Sequence, residues 1–169
     1  KFRIMYPTVG WYFKRDLKVQ SDSRFKDIIV ITTQNKINQL RLSTYKKLET
    51  PNVREVARIL EGEFVRDEIR QNEQYFKIKN GSMTQQMIKA AKAMEGWELG
   101  FSYWDRREGI LYTTFYIYYK KIILPNADPE RGNLTIGRAY VIRTVVRKDD
   151  YFELNKEMQK IIRSFQYDD

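Results

Sequence analysis

The sequence predicts an α+β fold in which helices sandwich an antiparallel β-sheet. Residues 134–147 read as a long strand, because β-branched and aromatic side chains alternate between two faces. Residues 149–165 follow at once with apolar side chains at helical spacing. A strand that runs directly into such a helix must pack the helix against the sheet, since neither element buries its apolar face alone.

The two faces of this last strand can be assigned from the alternation. One face carries Tyr140, Ile142, Thr144 and Val146, and the other carries Ala139, Val141, Arg143 and Val145. In the helix, Asp149 or Asp150 is placed to cap the N-terminus by accepting backbone N–H bonds. Its predicted buried stripe, with Leu154 beside it, consists of Phe152, Met158, Ile161, Ile162 and Phe165.

The length of 169 residues predicts a single domain large enough to bury a core. Thr50 and Pro51 are expected to start a helix, through a capping hydroxyl and a proline at the first helical position. The single domain at 1–169 is predicted to begin with an N-terminal hairpin region at 1–48, whose strands 28–33 and 37–45 have one side facing water. The predicted elements that follow are a helix at 51–68, a strand at 74–79, a short helix at 83–94, a meander of three strands at 97–147 and a helix at 149–165.

The absence of Cys and His is the most informative feature of the composition. It excludes a Cys nucleophile and a His general base, and it argues against zinc, haem and iron–sulfur sites. Four carboxylates in the 51–68 helix could form an acid/base pair or a cation site, but a solvated face paired with Arg58, Arg66 and Arg70 is favoured; they are Glu61, Glu63, Asp67 and Glu68. We therefore expect a protein that is not an enzyme and that uses no cofactor and no metal.

The chain carries a net charge of +9, which is unevenly distributed. Residues 1–85 hold 17 Lys and Arg against 10 Asp and Glu. Such a surface could face an anionic partner or could simply keep the protein solvated, and the second interpretation is favoured. No apolar run reaches the roughly 18 residues of a membrane helix. The chain begins at Lys1 rather than Met, as expected of a processed or trimmed product.

Residues 112–119 form an aromatic strand flanked by basic pairs. Stacking on its tyrosines together with phosphate pairing could serve nucleic acids, but ordinary sheet packing is favoured, because at most half of the rings share a face. Trp11 and Trp104 would be exposed anchors for a partner protein if they lay at a sheet edge, but not if they lay in the core. The candidate partner-binding residues are Trp11, Trp104, Arg106, Arg107, Lys120, Lys121 and, in the polar loop 125–133, Arg131.

Three short motifs occur in the same order as in a known family. They are Tyr6-Pro7-x-x-Gly10-Trp11, the hairpin 28–45 followed by the Pro51 helix, and a strand with Tyr140 leading to a helix that closes on Arg163-Ser164-Phe165. In these features the chain resembles the PsbP-like family. The helix at 83–94 and the lack of His depart from that family's pattern, and the missing His argues against a metal-linked role. The resemblance implies a non-catalytic subunit or assembly factor that binds protein partners, often outside the cytoplasm.

Two functions therefore remain open at the level of the sequence. The first is a protein-binding subunit or assembly factor of a larger complex, in an extracytoplasmic compartment such as the periplasm, envelope or lumen. The alternative is a basic domain that binds nucleic acid or an anionic surface, motivated by the charge of residues 1–85. Neither function requires a transmembrane segment, and both are compatible with peripheral membrane association.

Overall fold

The structure is a computed structural model that describes residues 2–14, 25–45, 52–69, 74–125, 130 and 132–167. Its main element is a seven-stranded antiparallel sheet with the strand order β2-β3-β4-β8-β7-β6-β5. A two-stranded sheet pairs β1 with β9. The elements are β1 (Phe2–Arg3), β2 (Trp11–Phe13), β3 (Phe25–Thr33), β4 (Gln39–Tyr45), α1 (Val53–Glu68), β5 (Tyr75–Ser82), α2 (Gln85–Ala90), β6 (Glu95–Asp105), β7 (Gly109–Leu124), β8 (Leu134–Arg147), α3 (Tyr151–Arg163) and β9 (Gln166–Tyr167).

Strand β8 lies between β4 and β7, at the centre of the large sheet. Its residue Ile142 is opposite Leu42 on one side and opposite Tyr116 on the other. The two predicted faces are confirmed. Tyr140, Ile142 and Val146 join one core cluster, whereas Ala139 and Val141 join the other.

Helices pack on both faces of the sheet, so the predicted α+β sandwich is confirmed. Helix α1 buries Val56, Leu60 and Phe64 against β6, β7 and β8. Helix α3 buries Met158, Ile161 and Ile162 on the opposite face, and α2 adds Ile88 there. Apolar side chains at helical spacing thus meet apolar side chains at strand spacing, and each element buries the stripe that its sequence encodes.

The N-terminal segment fastens α3 to the rest of the molecule. Strand β1 pairs with β9, just beyond the end of α3. The backbone N–H of Met5 donates to the Ser164 hydroxyl at 2.8 Å, and the Trp11 indole donates to a carboxylate oxygen of Glu157 at 2.9 Å. Trp11 therefore links helix α3 to the edge strand β2.

Two expectations for the α3 region were wrong. Asp150 occupies the N-cap position, but its carboxylate does not cap the helix. It accepts a hydrogen bond of 2.7 Å from the side-chain amide of Asn38 in the β3–β4 turn. Phe152 was placed in the buried stripe, yet it is 87% exposed. Phe152 lies six residues before Met158, a spacing that turns it away from the buried side of the helix.

In the first half of the chain, the helix boundaries and the solvent-facing side of the β3–β4 hairpin differ from the prediction. Helix α1 begins at Val53, where the Asn52 side chain accepts from the backbone N–H of Glu55 at 3.0 Å. Thr50 and Pro51 lie outside the described residues. On β4, Ser43 lies on the side that was predicted to be wet, but it is buried. Ser43 donates to Asp27 at 2.6 Å, so a polar pair covers part of that face. Helix α2 is also shorter than predicted.

Gly62 in the middle of α1 is an exposed residue with open space around it. No atom lies within 4 Å of the position a β-carbon would take, so close packing does not require glycine there. Substitution Gly62→Ala is expected to stabilise the fold by about 0.5–1 kcal/mol, because alanine loses less backbone entropy in a helix. A higher midpoint of urea denaturation would show this. A lower midpoint would mean that the helix needs a flexible residue at this position.

Candidate partner-binding surface

Strand β5 forms one end of the large sheet and exposes most of its side chains. Among the described residues it pairs only with β6. Its register with β6 shifts between Lys77 and Lys79, and this bulge brings Ile78 and Lys79 over Gly100. Phe76 is 62% exposed and Ile78 is 54% exposed. A bulge and lysines on an edge strand are devices that hinder sheet-to-sheet aggregation, so the apolar side chains are accessible from the face rather than from the edge.

Strand β6 adds Trp104 to the same face. Leu99, Phe101 and Tyr103 point to α1, so the alternation of the strand places Trp104 on the opposite side of the sheet. Trp104 is 54% exposed. Phe76 is opposite Ser102, which makes Phe76 and Trp104 diagonal neighbours within reach of each other. We call the exposed set Phe76, Ile78 and Trp104 the β5–β6 surface.

Cationic side chains flank the β5–β6 surface. Exposed Arg106 and Arg107 lie in the turn that follows Trp104. The Asp105 carboxylate fixes this turn by accepting from the backbone N–H groups of Arg107 at 2.8 Å and Glu108 at 3.0 Å. These hydrogen bonds hold the backbone of the turn that carries both arginines in a defined position.

The structure brings together some of the predicted partner-binding residues and separates others. Trp104, Arg106 and Arg107 lie at one end of β7, and Lys120 and Lys121 lie near its other end. The strand from Gly109 to Lys120 spans about 36 Å. Trp11 is only 4% exposed, so it presents no surface to a partner in this structure. Arg131 lies outside the described residues.

Phe76 and Ile78 were missed from the sequence. The segment 74–79 was predicted as a strand, but its position at the end of the sheet was not predicted. The available signal was the alternation of Lys77 and Lys79 with apolar residues, which is typical of edge strands.

The tyrosines of β7 do not form an exposed stacking surface. Tyr116, Tyr118 and Tyr119 are all buried. Burial raises the pKa of Tyr116 and Tyr118, which keeps both hydroxyls protonated. The Tyr116 hydroxyl accepts from the Gln159 amide at 2.8 Å. The interpretation of this strand as ordinary sheet packing is therefore confirmed.

The carboxylates of α1 are engaged with cations. Glu61 pairs with Lys77 of β5 at 2.6 Å, and Asp67 pairs with Arg66 at 2.6 Å. The Arg66 hydrogen bond lowers the pKa of Asp67. Glu68 pairs with Arg143 of β8. Arg58 binds Glu55 rather than one of the four predicted carboxylates. The carboxylates of this helix thus form ion pairs with basic neighbours, and their arrangement does not favour a catalytic acid/base pair.

Within the described ranges, no three of His, Cys, Asp and Glu are grouped so as to hold a metal ion. A crevice lies between α3 and the sheet, lined by residues such as Tyr112, Tyr151 and Gln159. It has room for a water molecule but is far smaller than the pockets that bind organic ligands. No described helix has the length and apolar content that crossing a bilayer requires.

The comparison with solved structures identifies the architecture. The solution structure of cyanobacterial PsbP (CyanoP) from Synechocystis sp. PCC 6803 superposes with a TM-score of 0.56 at 11% sequence identity, covering 97% of this chain and 85% of that one. The chain has a PsbP-like fold. The crystal structure of LpqN, involved in cell envelope biogenesis of Mycobacterium tuberculosis, matches with a TM-score of 0.50 at 14% identity, covering 98% and 82%.

No family model and no curated protein matches this PsbP-like chain. The resemblance predicted from the Gly10-Trp11 motif and the closing Ser164-Phe165 is confirmed for the fold. At these low identities the match carries the fold alone, and the function must be argued from the surface.

Proposed function

We propose that this PsbP-like chain is a non-catalytic, protein-binding subunit or assembly factor of a larger complex, acting through the β5–β6 surface. The observation that carries the proposal is the grouping of Phe76, Ile78 and Trp104, all more than half exposed, on one face of a rigid sheet. Contiguous exposed apolar side chains of this kind mark interaction sites. Scattered single apolar residues would carry no such meaning.

The composition of the surface favours a protein partner. Aromatic residues and arginines are enriched in protein interfaces, where tryptophan contributes more than most residues to the binding energy. Trp104 supplies the aromatic anchor, and Arg106 and Arg107 supply a cationic rim. Because the strands beneath are paired along their length, the anchor binds without a large loss of backbone entropy.

An extracytoplasmic location is part of the proposal. The LpqN structure is described as that of a protein involved in cell envelope biogenesis, and it shares the fold of this chain. The periplasm, the envelope or a lumen would all suit a protein without Cys, since no disulfide has to form and no thiol has to stay reduced.

The test begins with a partner recovered from the native source by affinity purification at low and at moderate salt and identified by mass spectrometry. Substitution Trp104→Ala is then expected to weaken binding of the purified partner by about 30-fold or more, as for a central interface tryptophan. Binding is measured by calorimetry, and circular dichroism checks that the variant is folded.

The matched control is Tyr12→Ala. Tyr12 is 55% exposed, like Trp104, but it lies on β2 at the opposite edge of the sheet. Equal effects of the two substitutions would overturn the proposal. Recovery of nucleic acid that is released by moderate salt would instead favour the alternative function, because phosphate contacts weaken steeply as salt rises.

A further inference from the structure

Ser102 of β6 lies in a hollow of the β5–β6 surface. Residues directly opposite each other in an antiparallel pair share a face of the sheet, and Ser102 is opposite both Phe76 of β5 and Tyr112 of β7. Trp104 is two residues further along β6 and therefore stands on the same face. The serine side chain is far shorter than the three rings around it. We call the space above it the Ser102 recess.

Ile78 borders the remaining side of the Ser102 recess. Gly100 precedes Ser102 by two residues on the same face, and a β-carbon built at Gly100 would lie 3.2 Å from Cγ1 of Ile78. The Ile78 side chain therefore lies over Gly100, beside the recess. Neighbouring strands are about 4.8 Å apart, so the backbones that carry Phe76 and Tyr112 are about 10 Å apart, which leaves room for one side chain between the two rings.

The rings around the Ser102 recess do not close it. Tyr112 packs against Tyr151 of α3, with the ring centres 5.0 Å apart. Within the described part of the chain, neither Phe76 nor Trp104 packs against another aromatic ring. Ser102 itself is half-buried. The recess is therefore open to a side chain of another molecule, and the walls that would enclose that side chain are apolar.

The lysines of β5 beside the recess are already neutralised within the fold. Lys77 pairs with Glu61 of α1 at 2.6 Å, and Lys79 pairs with Glu98 of β6 at 2.7 Å. These lysines therefore offer little unbalanced charge to a partner.

The arginines of the β6–β7 turn are not neutralised in this way. The Asp105 carboxylate accepts from backbone N–H groups, and Glu108 pairs with Arg147 at 3.3 Å. Arg106 and Arg107 are exposed and form no ion pair with another described residue. The unbalanced charge next to the recess is therefore positive.

We propose that the Ser102 recess receives one apolar side chain of an acidic protein segment, whose carboxylates bind Arg106 and Arg107. The inference rests on the proposed function and specifies the chemistry of the partner. Arg107 follows Ser102 by five residues, a distance of at most about 18 Å, so one short extended segment reaches both. An anchor enclosed by apolar walls is shielded from water, and guanidinium groups bind carboxylates through paired hydrogen bonds.

Other occupants fit this arrangement less well. A second copy paired through the same surface would offer arginines to arginines, because the carboxylates around that surface are already bound. Single-stranded nucleic acid needs cations along its whole track, whereas the unbalanced cations here occupy one turn. Glu98, which lies two residues from Gly100 on the same face, would also oppose a phosphate backbone that crosses β6.

Selection from a random peptide library displayed on phage tests the proposal without the native partner. The enriched peptides are expected to combine a large apolar residue with two or more Asp or Glu residues, and to bind the Trp104→Ala variant weakly. Enrichment of basic or uncharged peptides, or no enrichment, would overturn the inference. So would tighter binding of a single-stranded DNA oligonucleotide than of the enriched peptide.

Substitution Ser102→Ile fills the recess and separates binding from folding. Isoleucine favours strands more than serine does, so the thermal unfolding midpoint should not fall. Binding of the enriched peptide is nevertheless expected to weaken about tenfold or more in calorimetry, because the anchor side chain is excluded. The matched control is Ser82→Ile, which adds the same bulk at an exposed position opposite Trp97, on the other face of the sheet. Equal peptide affinities of the two variants would overturn the inference.

Charge variants test the acidic part of the proposal. Arg106→Gln with Arg107→Gln is expected to slow association, to weaken peptide binding about tenfold at low salt and to flatten its salt dependence. The control Lys160→Gln with Arg163→Gln removes the same charge from exposed positions in the last turn of α3 and should change binding little. Equal losses in the two variants would overturn the inference.

The same variants, measured with the purified native partner, separate this inference from the proposed function. If Trp104→Ala weakens binding of that partner but Ser102→Ile and the arginine variant do not, the inference fails and the proposed function stands. If Trp104→Ala has no more effect than Tyr12→Ala, both fail.

Discussion

Substitution Glu68→Ala is expected to destabilise the fold by about 3 kcal/mol, because it leaves a buried guanidinium without its anion. Glu68, at the end of α1, pairs with Arg143, whose side chain is 14% exposed. The guanidinium lies 5.6 Å from the ring centre of Phe64 and 5.2 Å from that of Phe115. Since the Glu68 side chain is itself 36% exposed, water offsets part of the loss, and the value falls at the low end for buried pairs.

The surroundings of Arg143 show how strongly the pair is coupled. Burial lowers the pKa of the Arg143 guanidinium, but the charge and hydrogen bonds of Glu68 more than offset this, so that the pKa lies above its usual value. The guanidinium also donates to the Thr113 hydroxyl at 3.1 Å. Loss of Glu68 would leave the charge with this hydroxyl, the two rings, Tyr103 and the weaker influence of the Asp27 carboxylate.

Urea denaturation of a single and a double variant checks the prediction. The combined variant Glu68→Leu with Arg143→Met is expected to cost less than Glu68→Ala alone, because it removes the buried charge as well as its partner. The surface pair Arg58 and Glu55 is the control, since solvent screens it and Glu55→Ala should cost far less than Glu68→Ala. If Glu68→Ala behaved like Glu55→Ala, the pair with Arg143 would not stabilise the fold.

Substitution Gly137→Ala is expected to cost about 2–3 kcal/mol, although it adds a single methyl group. A β-carbon at Gly137 would lie 2.5 Å from the Tyr119 hydroxyl oxygen and 2.6 Å from Cε2 of that ring. Tyr119 is buried, so its ring cannot swing into water to make room. The ring or the backbone of β8 must shift, and either shift disturbs the pairing of β7 with β8.

The control for this prediction is Gly81→Ala on the edge strand β5. No atom lies within 4 Å of a β-carbon at Gly81, so the substitution should leave the free energy of unfolding nearly unchanged. Chemical denaturation of both variants gives the comparison. A loss at Gly137 no greater than at Gly81 would show that the Tyr119 ring adapts freely.

The regular elements could be predicted because their side-chain spacing is a local property. Strand β8 shows its two faces through alternation, and α3 shows Met158, Ile161 and Ile162 at helical spacing. The prediction that Phe152 is buried was wrong because hydrophobicity alone does not determine which side of the helix a residue in the first turn occupies. The prediction that Asp150 caps α3 was wrong because its carboxylate binds Asn38, which is more than a hundred residues away in the chain.

The candidate site was less predictable because exposure depends on strand order. The sequence gives no reason to treat Trp11 and Trp104 differently. Trp11 is buried and bound to Glu157 of α3, whereas Trp104 lies where no helix of the described residues covers the sheet. Glu68 was expected to bind an arginine of its own helix and instead binds Arg143 of β8. Such contacts join elements far apart in sequence, and no local pattern specifies them.

The central position of β8 also determines when during its synthesis the protein can fold. In the described sheet, β4 and β7 are joined only through β8, which ends at Arg147. The strands made first therefore have no complete sheet to join until most of the chain has emerged from the ribosome. Pairing over such long sequence separations is slow, and the unfinished sheet exposes open edges in the meantime. A chaperone that shields the open edges of β4 and β7 at this stage is therefore expected to raise the yield of folded protein, which refolding with and without it would measure.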